Sequence, residues 1–367
     1  MFIAFAAFAL AITSAGSAQI EATLQSRIDA AVEQGAAPGI SVAVILPDGD
    51  VVCAVAGMAD TRTRSPVTCE TRFLSGSVGK SVTALLAVQL ARNGMLDLDA
   101  PVSNWLSDRP WWDRLRNRDA ITLRMLPNHS AGVPDYLEDI DYFLAGLTRG
   151  DRGFAPDDTI AFVANDRPSG EPGAHYAYSD THYIMAGLVL EVATGRTYHE
   201  LLDETGLLDE VMTDTTPLAG RQFDRLADGH VPGLFGRRRT ATGHRLHRNL
   251  DHEWAAGGLV TTPADLARLF AALGGSGAEA DAGHIMRRDI NAFNDAGTSG
   301  YGLGIFVRRY ETGEYRLSHG GDFGGYRSAA LYDSETRIAL AVQANSKGFE
   351  APDFAYELIE AIAASAD

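Results

Sequence analysis

A serine and a lysine stand three residues apart where a helix is expected to begin. Ser77 and Lys80 follow the strand-like run Thr71–Leu74 and precede a stripe of valine and leucine residues at helical spacing. Residues three apart on a helix lie on one face, so the Lys80 ammonium can lie beside the Ser77 hydroxyl. A hydroxyl becomes a strong nucleophile only when a neighbouring base takes its proton. This spacing indicates a serine nucleophile of the Ser-x-x-Lys type.

Other interpretations of the same stretch remain open at this point. Gly79-Lys80-Ser81 ends like a phosphate-binding loop, but that motif needs a glycine where this chain has Leu74. A nucleophile elbow needs a glycine where this chain has Ser75. A helix start rich in small residues, with no chemistry, is the remaining alternative. Ser-x-x-Lys is common by chance, so the rest of the chain has to decide.

The composition is that of a globular protein. The chain has 367 residues, of which 46% are hydrophobic and 22% are charged, enough for one large domain or two smaller ones. Its net charge of -17 argues against nucleic acid or an anionic membrane surface as a partner. The 10 histidines are scattered, with no spacing typical of a metal site. The sequence therefore predicts neither a metal nor a cofactor.

The amino-terminal residues 1–18 are predicted to be a signal peptide. The apolar run Phe2–Ile12 is too short to span a bilayer. Gly16 and Ala18 fit a cleavage site before Gln19, although the usual positive charges at the start are missing. The prediction is a periplasmic or secreted protein without a stable membrane anchor.

The chain contains two cysteines, Cys53 and Cys69. An even number of cysteines in an exported protein permits a disulfide. Two separate, reduced core residues are an equally acceptable interpretation, so both alternatives stay open.

Strand patterns occur towards both ends of the chain, and helical patterns lie between them. Strands are expected at Gly39–Leu46, Val51–Ala56, Tyr301–Val307, Tyr315–His319, Tyr326–Tyr332 and Arg337–Ala344. Helices are expected at Ile20–Glu33, from Ser77 to Asn93-Gly94, and at Ile184–Ala193, Ala264–Leu273 and Asp353–Ala364. This order predicts an α+β fold in which hairpins from both ends share one antiparallel sheet. The active site is expected in the cleft between that sheet and the helical lobe.

Two more motifs join the serine and the lysine, namely Tyr178-Ser179-Asp180 and His319-Gly320-Gly321. Their order and spacing resemble those of the serine hydrolases that include class C β-lactamases, penicillin-binding proteins with DD-peptidase activity, D-aminopeptidases and related esterases. Residues 126–136, 172–195 and 257–266 resemble the same family. The resemblance implies one β-lactamase/transpeptidase-like catalytic domain over residues 19–367. Its α/β lobe would comprise about 20–76 and 298–367, and its helical lobe about 77–297.

The resemblance implies proton-transfer roles for Lys80 and Tyr178. A phenol is a weak base at its ordinary pKa of about 10, but a nearby ammonium favours the phenolate. Tyr178 could then take the Ser77 proton and return it to the leaving group. Whether Lys80 or Tyr178 is the general base stays open.

Asp180 departs from the family pattern, which usually has asparagine at this position. An ionised carboxylate cannot donate a hydrogen bond. It is expected to pair with Lys80 and keep the ammonium charged, which favours Tyr178 as the base. The same feature supports an alternative in which the protein is a weak or non-catalytic module that recognises cell-wall fragments.

His319-Gly320-Gly321 stands where many relatives have Lys-Thr-Gly on a strand beside the cleft. Gly321 lets a substrate backbone approach closely, and the resemblance places the oxyanion-binding amides on Ser77 and Asp322. His319 is expected to be neutral or partly charged near pH 7, so it would bind a substrate carboxylate less strongly than lysine does. His129 and Ser130, in a segment that also resembles the family, are expected to shape the cleft wall.

Together these features predict a serine hydrolase that works through an acyl-enzyme on Ser77. The expected substrate is a small molecule or short peptide, either a D-amino-acid peptide or an ester. The non-catalytic module and, more remotely, a nucleotide-binding protein are the alternatives. The oligomeric state is left open by the sequence.

Overall fold

The computed structural model describes residues 14–149, 151–234 and 236–366. Residues 1–13 of the predicted signal peptide therefore lie outside the described residues. The first helix begins at Ser14 and ends at Glu33, so it includes residues on both sides of the predicted cleavage point. Export of the protein stays a prediction.

Helices and strands are numbered here in chain order. The helices are α1 Ser14–Glu33, α2 Lys80–Arg92, α3 Ser103–Leu106, α4 Ile140–Arg149, α5 Pro156–Val163, α6 Asp180–Thr194, α7 Tyr198–Glu204, α8 Pro263–Gly274, α9 Ala278–Arg288 and α10 Ala351–Ala366. The longer strands are β1 Gly39–Ile45, β2 Val51–Asp60, β14 Tyr315–Phe323, β15 Tyr326–Asp333 and β16 Ile338–Ala344. The shorter strands are β3 Ser65–Pro66, β4 Phe73–Leu74, β5 Thr216–Pro217, β6 His230–Gly233, β7 Gly236–Arg239, β8 Ala241–Thr242, β9 Arg245–Leu246, β10 Leu259–Thr261, β11 Asn291–Ala292, β12 Ser299–Tyr301 and β13 Phe306–Arg309.

An antiparallel sheet joins the two ends of the chain, in the strand order β11-β12-β13-β14-β15-β16-β1-β2-β3. The junction is the pairing of β1 with β16, from Ile40 opposite Ala344 to Ile45 opposite Ala339. Both strands are buried along their whole length, because α1 and α10 cover one face of the sheet and α8 covers the other. The predicted α+β fold is confirmed.

The amino-terminal hairpin forms as its turn residues predict, with β1 and β2 in register from Gly39 opposite Gly57 to Ile45 opposite Val51. Cys53 on β2 forms a disulfide with Cys69, and their Cα atoms are 6.2 Å apart. Of the two alternatives for the cysteines, the structure has the paired one. The bond ties the hairpin to the segment that leads into β4 and Ser77.

The single strand expected at Tyr301–Val307 is wrong. The chain reverses between β12 and β13, which pair with each other in antiparallel fashion, and the Gly302 N–H donates to the Ile305 carbonyl across the turn. Gly304 has a φ of +71°, and a Cβ there would lie 2.6 Å from the Cβ of Ala84. The close approach of this turn to α2 therefore requires glycine, and an apolar pattern alone cannot reveal such a turn.

Helices α2 and α6 form the centre of the helical part and are buried on nearly all sides. Helix α6 begins at Asp180 rather than at the expected Ile184, because its first turn carries polar residues that interrupt the apolar stripe. Helix α8 begins at Pro263, one residue before the expected Ala264, and the Thr262 side chain accepts a hydrogen bond from the Asp265 N–H. None of the helices in the described part of the chain is long and apolar enough to cross a membrane.

Candidate active site

Ser77 lies in a 3-10 helix, Gly76–Gly79, that leads directly into α2. The Lys80 Nζ atom lies 3.1 Å from the Ser77 Oγ atom, as the three-residue spacing predicts. The same Nζ atom donates a hydrogen bond of 2.8 Å to the Ala256 carbonyl, and the Lys80 side chain is fully buried. The Ser81 hydroxyl donates to the Gly304 carbonyl at 2.7 Å. Lys80 and Ser81 thus face the interior, which argues against the phosphate-loop interpretation.

The Asp180 carboxylate forms an ion pair with the Lys80 ammonium, as expected for a carboxylate in this position. Asp180 is the first residue of α6 and is itself buried. Burial lowers the pKa of Lys80, but the charges of Asp180, Tyr178 and Glu253 and the hydrogen bond to Asp180 together outweigh this, and the pKa lies well above its ordinary value. Lys80 is therefore a charged ammonium at all physiological pH values.

Two further carboxyl groups, which the motifs do not reveal, lie around this ion pair. Burial and the Asp180 charge raise the pKa of Glu253 well above its usual range and raise the pKa of Asp135 to about 7. Glu253 lies three residues before Ala256, whose carbonyl accepts a hydrogen bond from Lys80. Asp135 belongs to the segment 126–136. Neither has a recognisable partner in the sequence, because they come from separate loops that only the fold brings together. Their protonated forms limit the negative charge around Lys80.

Tyr178 borders the cleft and is 38% exposed as a residue, and the Lys80 Nζ atom lies 5.2 Å from its ring centre. Burial of the hydroxyl raises the pKa of Tyr178 to about 12, although the Lys80 charge and hydrogen bonds to Ser77 and Lys80 lower it. The Lys80 charge favours the phenolate, but burial outweighs it. The phenol is neutral at pH 7, and Lys80 only reduces the free energy needed to ionise it.

His319 is buried within β14, beside the cleft. The Tyr301 hydroxyl lies 2.8 Å from His319 Nε2, and His319 Nδ1 lies 2.7 Å from the Gly320 carbonyl. Since a carbonyl can only accept, Nδ1 carries the proton and Nε2 accepts from the tyrosine. Burial lowers the pKa of His319 to about 3, so the ring is neutral at pH 7 rather than partly charged.

The backbone of β14 passes very close to the turn that carries Ser77. A Cβ on Gly321 would lie 2.1 Å from the Ser75 carbonyl oxygen and 3.3 Å from the Ser77 nitrogen, and a Cβ on Gly76 would lie 3.0 Å from the Asp322 nitrogen. Glycine is required for this approach. It brings the Ser77 and Asp322 amides to the same end of the cleft, while the Asp322 carboxylate lies 3.4 Å from Arg327 at the rim.

A cleft of about 560 Å³ opens over these groups, a volume in the range of small-molecule sites. Strand β13 pairs with β14 only from Tyr315 to Ser318, so β14 continues past the end of β13 along the cleft. Side chains lining the cleft include Ser77, Tyr178, Phe293, Phe306, His319 and Tyr356. No group of histidine, cysteine, aspartate and glutamate side chains among residues 14–149, 151–234 and 236–366 is arranged to hold a metal ion.

His129 and Ser130 lie behind the cleft wall rather than on it. Both are buried, and the His129 ring packs against Tyr178 with 4.1 Å between ring centres. The Ser130 hydroxyl donates to the Asn128 side chain at 2.7 Å. His129 thus contacts a residue of the cleft without reaching the cleft itself.

An antiparallel sheet built from both chain ends, with a serine–lysine pair on a helix start facing one of its strands, defines the β-lactamase/transpeptidase class of folds. The chain belongs to the beta-lactamase family, whose model matches residues 24–364. The resemblance inferred from the three motifs is confirmed.

Named relatives agree with this assignment. Penicillin-binding protein 4* of Bacillus subtilis is 24% identical over 301 residues, which are 79% of this chain and 64% of the relative. The D-aminopeptidase of Brucella anthropi is 27% identical over 337 residues, which are 88% of this chain and 58% of that enzyme. The chain thus spans less than two thirds of the length of either protein. The D-amino acid amidase of Ochrobactrum anthropi SV3 superposes with a TM-score of 0.78 at 25% identity, covering 95% of this chain and 100% of the amidase.

Proposed function

We propose that this protein is a serine hydrolase that forms an acyl-enzyme on Ser77 and cleaves amide bonds of D-amino-acid peptides or amides. The observation that carries the proposal is the 3.1 Å contact between the Ser77 hydroxyl and the Lys80 ammonium at the floor of a substrate-sized cleft. The similarity to a D-aminopeptidase and a D-amino acid amidase supports the substrate class.

The charge states of Lys80 and Tyr178 determine which group takes the Ser77 proton. Lys80 carries its proton already, so it cannot take one from Ser77. The phenolate form of Tyr178 is the proton acceptor, and the adjacent Lys80 ammonium stabilises that form. A pKa of about 12 leaves a small phenolate fraction at pH 7, and that fraction increases about tenfold for each pH unit.

The reaction then has two stages. In the first, the Ser77 Oγ atom bonds to the substrate carbonyl carbon while its proton moves to Tyr178. Tyr178 returns this proton to the leaving-group nitrogen as the carbon–nitrogen bond breaks. In the second stage, a water molecule gives a proton to Tyr178 and attacks the acyl-enzyme, and the returning proton restores the Ser77 hydroxyl. The acid product leaves.

The Ser77 and Asp322 amides are proposed to bind the oxyanion of both stages. The amides in the first turn of a helix have no intrahelical acceptor, so the Ser77 N–H is free to donate. Backbone donors aimed at the developing oxyanion are usually the largest single electrostatic contribution to such reactions, and removal of one costs about 10²–10³ in kcat.

The part of β14 beyond the end of β13 is suited to an extended substrate. Peptides often bind by adding a strand to an open sheet edge, with main-chain hydrogen bonds supplying the affinity. Ester hydrolysis is a second candidate, because a neutral His319 offers no charge for the carboxylate that follows the scissile bond in a peptide. The same feature argues against efficient hydrolysis of β-lactams, which carry a carboxylate.

Export to the periplasm or the medium is part of the proposal. Disulfides persist in oxidising compartments and are rare in reducing ones, so the Cys53–Cys69 bond supports the signal peptide predicted at residues 1–18. Expression of the full chain followed by cell fractionation and amino-terminal sequencing tests this. Recovery of the intact amino terminus in the cytoplasmic fraction would refute it.

A covalent probe tests the catalytic proposal. A fluorophosphonate should label the protein at Ser77, as located by peptide mass spectrometry, and Ser77→Ala should abolish the label. Para-nitroanilides of D- and L-alanine, assayed with para-nitrophenyl acetate, separate peptidase from esterase activity. Hydrolysis of the D-anilide in preference to the L-anilide is expected. Labelling that survives in Ser77→Ala would overturn the mechanism, and labelling without turnover of any substrate would favour the non-catalytic module.

A further inference from the structure

We infer that His129 and His182 form a buried pair that positions Tyr178 for proton transfer, an inference that rests on the proposed function. Neither histidine reaches Ser77 or the cleft. Both rings are fully buried, and they come from distant segments, His129 from the loop residues 126–136 and His182 from the first turn of α6. Their side chains meet at one point, directly behind the tyrosine.

The hydrogen bonds fix one proton arrangement for the pair. The Val133 N–H donates to His182 Nε2 at 3.1 Å, so this nitrogen is unprotonated and the neutral ring carries its proton on Nδ1. The Ser179 N–H donates to His129 Nδ1 at 3.2 Å, so that nitrogen is an acceptor. His182 Nδ1 lies 3.2 Å from His129 Nδ1 and therefore donates to it. Both rings have to be neutral for the chain of donors to hold.

His129 makes three contacts with Tyr178 and its two neighbours in the chain. Its ring packs on the Tyr178 ring at 4.1 Å between centres with a 35° tilt. Its Nδ1 atom binds the N–H of Ser179, and its carbonyl oxygen binds the N–H of Ala177 at 2.8 Å. The residues immediately before and after Tyr178 are thus anchored to one histidine.

The backbone of His129 is in a conformation that few residues adopt, with a φ of +59°. A left-handed backbone at a non-glycine residue persists where the surroundings hold it. Here the surroundings are the two anchoring hydrogen bonds and the donor from His182. His182 therefore acts on Tyr178 through His129, as a positioning residue.

Position matters because proton transfer requires the donor and acceptor within hydrogen-bond reach. A misplacement of about 1 Å can reduce a rate by about 10²-fold. Loss of the His182 donor leaves the His129 ring free to turn, and the Tyr178 hydroxyl moves with it. We expect a lower kcat with an unchanged KM, since the substrate-binding edge of β14 is not affected.

Two isosteric substitutions separate positioning from packing. In His182→Asn, the side-chain amide places an N–H where Nδ1 lies, and kcat should stay within about threefold of the wild type. In His182→Gln, the side-chain amide reaches the Nε2 position. It can accept the hydrogen bond from the Val133 N–H but cannot donate to His129, so kcat should fall about 10- to 100-fold. The kcat of His182→Ala should be reduced as much as that of His182→Gln.

A matched control is available in His230, another buried histidine, which donates from Nδ1 to the Asn345 carbonyl at 2.9 Å. His230→Ala should lower the thermal unfolding temperature as His182→Ala does, yet keep kcat. His129→Asn tests the other partner. Asparagine tolerates the left-handed backbone and keeps an acceptor for Ser179, but it removes the ring that supports Tyr178, so kcat should fall while the protein stays folded.

Crystal structures of the wild type and His182→Gln supply a readout that does not depend on turnover. The Tyr178 hydroxyl should lie next to Ser77 in the wild type and be displaced in the variant. Equal kcat values for His182→Asn and His182→Gln, or an undisplaced Tyr178, would overturn the inference. If Tyr178 is displaced in His182→Gln but the wild-type protein never acylates at Ser77, the positioning role is upheld and the proposed function is refuted.

Discussion

The Asp180 carboxylate contacts the Lys80 ammonium in the interior of the protein, next to the Ser77 hydroxyl. Both side chains are buried, so neither charge is compensated by water. A buried pair of this kind is costly to form but far more costly to break on one side. Asp180 thereby fixes Lys80 as a cation. This charge prevents Lys80 from taking the Ser77 proton and stabilises the phenolate form of Tyr178.

Asp180→Asn should release Lys80 from this charge state. Without the carboxylate, burial lowers the pKa of Lys80, and the amine becomes able to accept the Ser77 proton. We expect the rate of Ser77 acylation by a fluorophosphonate to rise about tenfold at pH 9, less than the 10²–10⁴ of a complete general base. Asp265→Asn, which removes another buried carboxylate that pairs with Arg268 rather than with Lys80, is the control. A lower rate in Asp180→Asn would show that the carboxylate itself assists the reaction.

Lys80→Met should lose both activity and stability. The substitution leaves Asp180 buried and unpaired, which costs about 3–5 kcal/mol in the free energy of unfolding, and it removes the cation that stabilises the Tyr178 phenolate. In the double variant Lys80→Met/Asp180→Leu the stability should return, since no unpaired charge remains, while activity stays absent. Urea unfolding and anilide turnover measure the two effects. Recovered activity in the double variant would contradict a role for Lys80 in proton transfer.

Much of the fold was predictable because it follows from patterns in consecutive residues. The hairpin of β1 and β2, the start of α2 and the cap of α8 each depend on turn or cap residues that are adjacent in the chain. The turn at Gly304 and the short strands from β5 to β10 could not be predicted. They contain two to four residues in regular conformation and depend on contacts with distant segments. Periodicity needs a longer run to be recognised.

The residues of the site also fall into those that the sequence could predict and those that it could not. Ser77, Lys80, Tyr178 and Asp180 lie in short motifs, and their proximity could be inferred from the resemblance. Glu253 and the His129–His182 contact could not, because each joins side chains from loops and helices far apart in sequence. The raised pKa of Tyr178 could not be inferred either, since the sequence reveals the neighbouring lysine but not the burial that outweighs it.

Activity should increase with pH if the Tyr178 phenolate is the proton acceptor. The pKa of Tyr178 is about 12, so between pH 7 and pH 10 the phenolate fraction, and with it kcat, should rise about tenfold for each pH unit. In Tyr178→Phe, kcat should fall by about 10²–10⁴ and lose this slope. Stability should change little, because the ring is partly exposed. A wild-type kcat that is independent of pH in this range would exclude the phenolate as the base.

Gly321→Ala should disable the cleft by steric conflict. The new methyl group would lie 2.1 Å from the Ser75 carbonyl oxygen, so β14 and the Ser77 turn must separate, at a cost of about 1–3 kcal/mol in unfolding free energy. Separation also moves the Asp322 amide away from Ser77, and acylation should drop by about 10²-fold. Gly146→Ala is the matched control, since a Cβ there meets nothing within 4 Å and alanine in a helix should stabilise by about 0.5–1 kcal/mol. Full activity in Gly321→Ala would show that the close approach is not needed.

The buried, neutral His319 should make the protein less stable in acid. Its pKa is lowered to about 3 in the folded state, whereas an unfolded histidine titrates near 6.5. The unfolded chain therefore binds one more proton between these values. The stabilisation present above pH 6.5 is lost as the pH falls towards 3, by up to about 1.4 kcal/mol per pH unit. His319→Gln keeps an acceptor for the Tyr301 hydroxyl and cannot titrate, so its unfolding free energy should decline less steeply over this range. Urea unfolding at pH 7, 6, 5 and 4 measures both slopes, and the difference between them isolates His319 from the other acid-sensitive groups. Parallel slopes would mean that His319 becomes charged without unfolding and that its ring is accessible to protons in the folded protein.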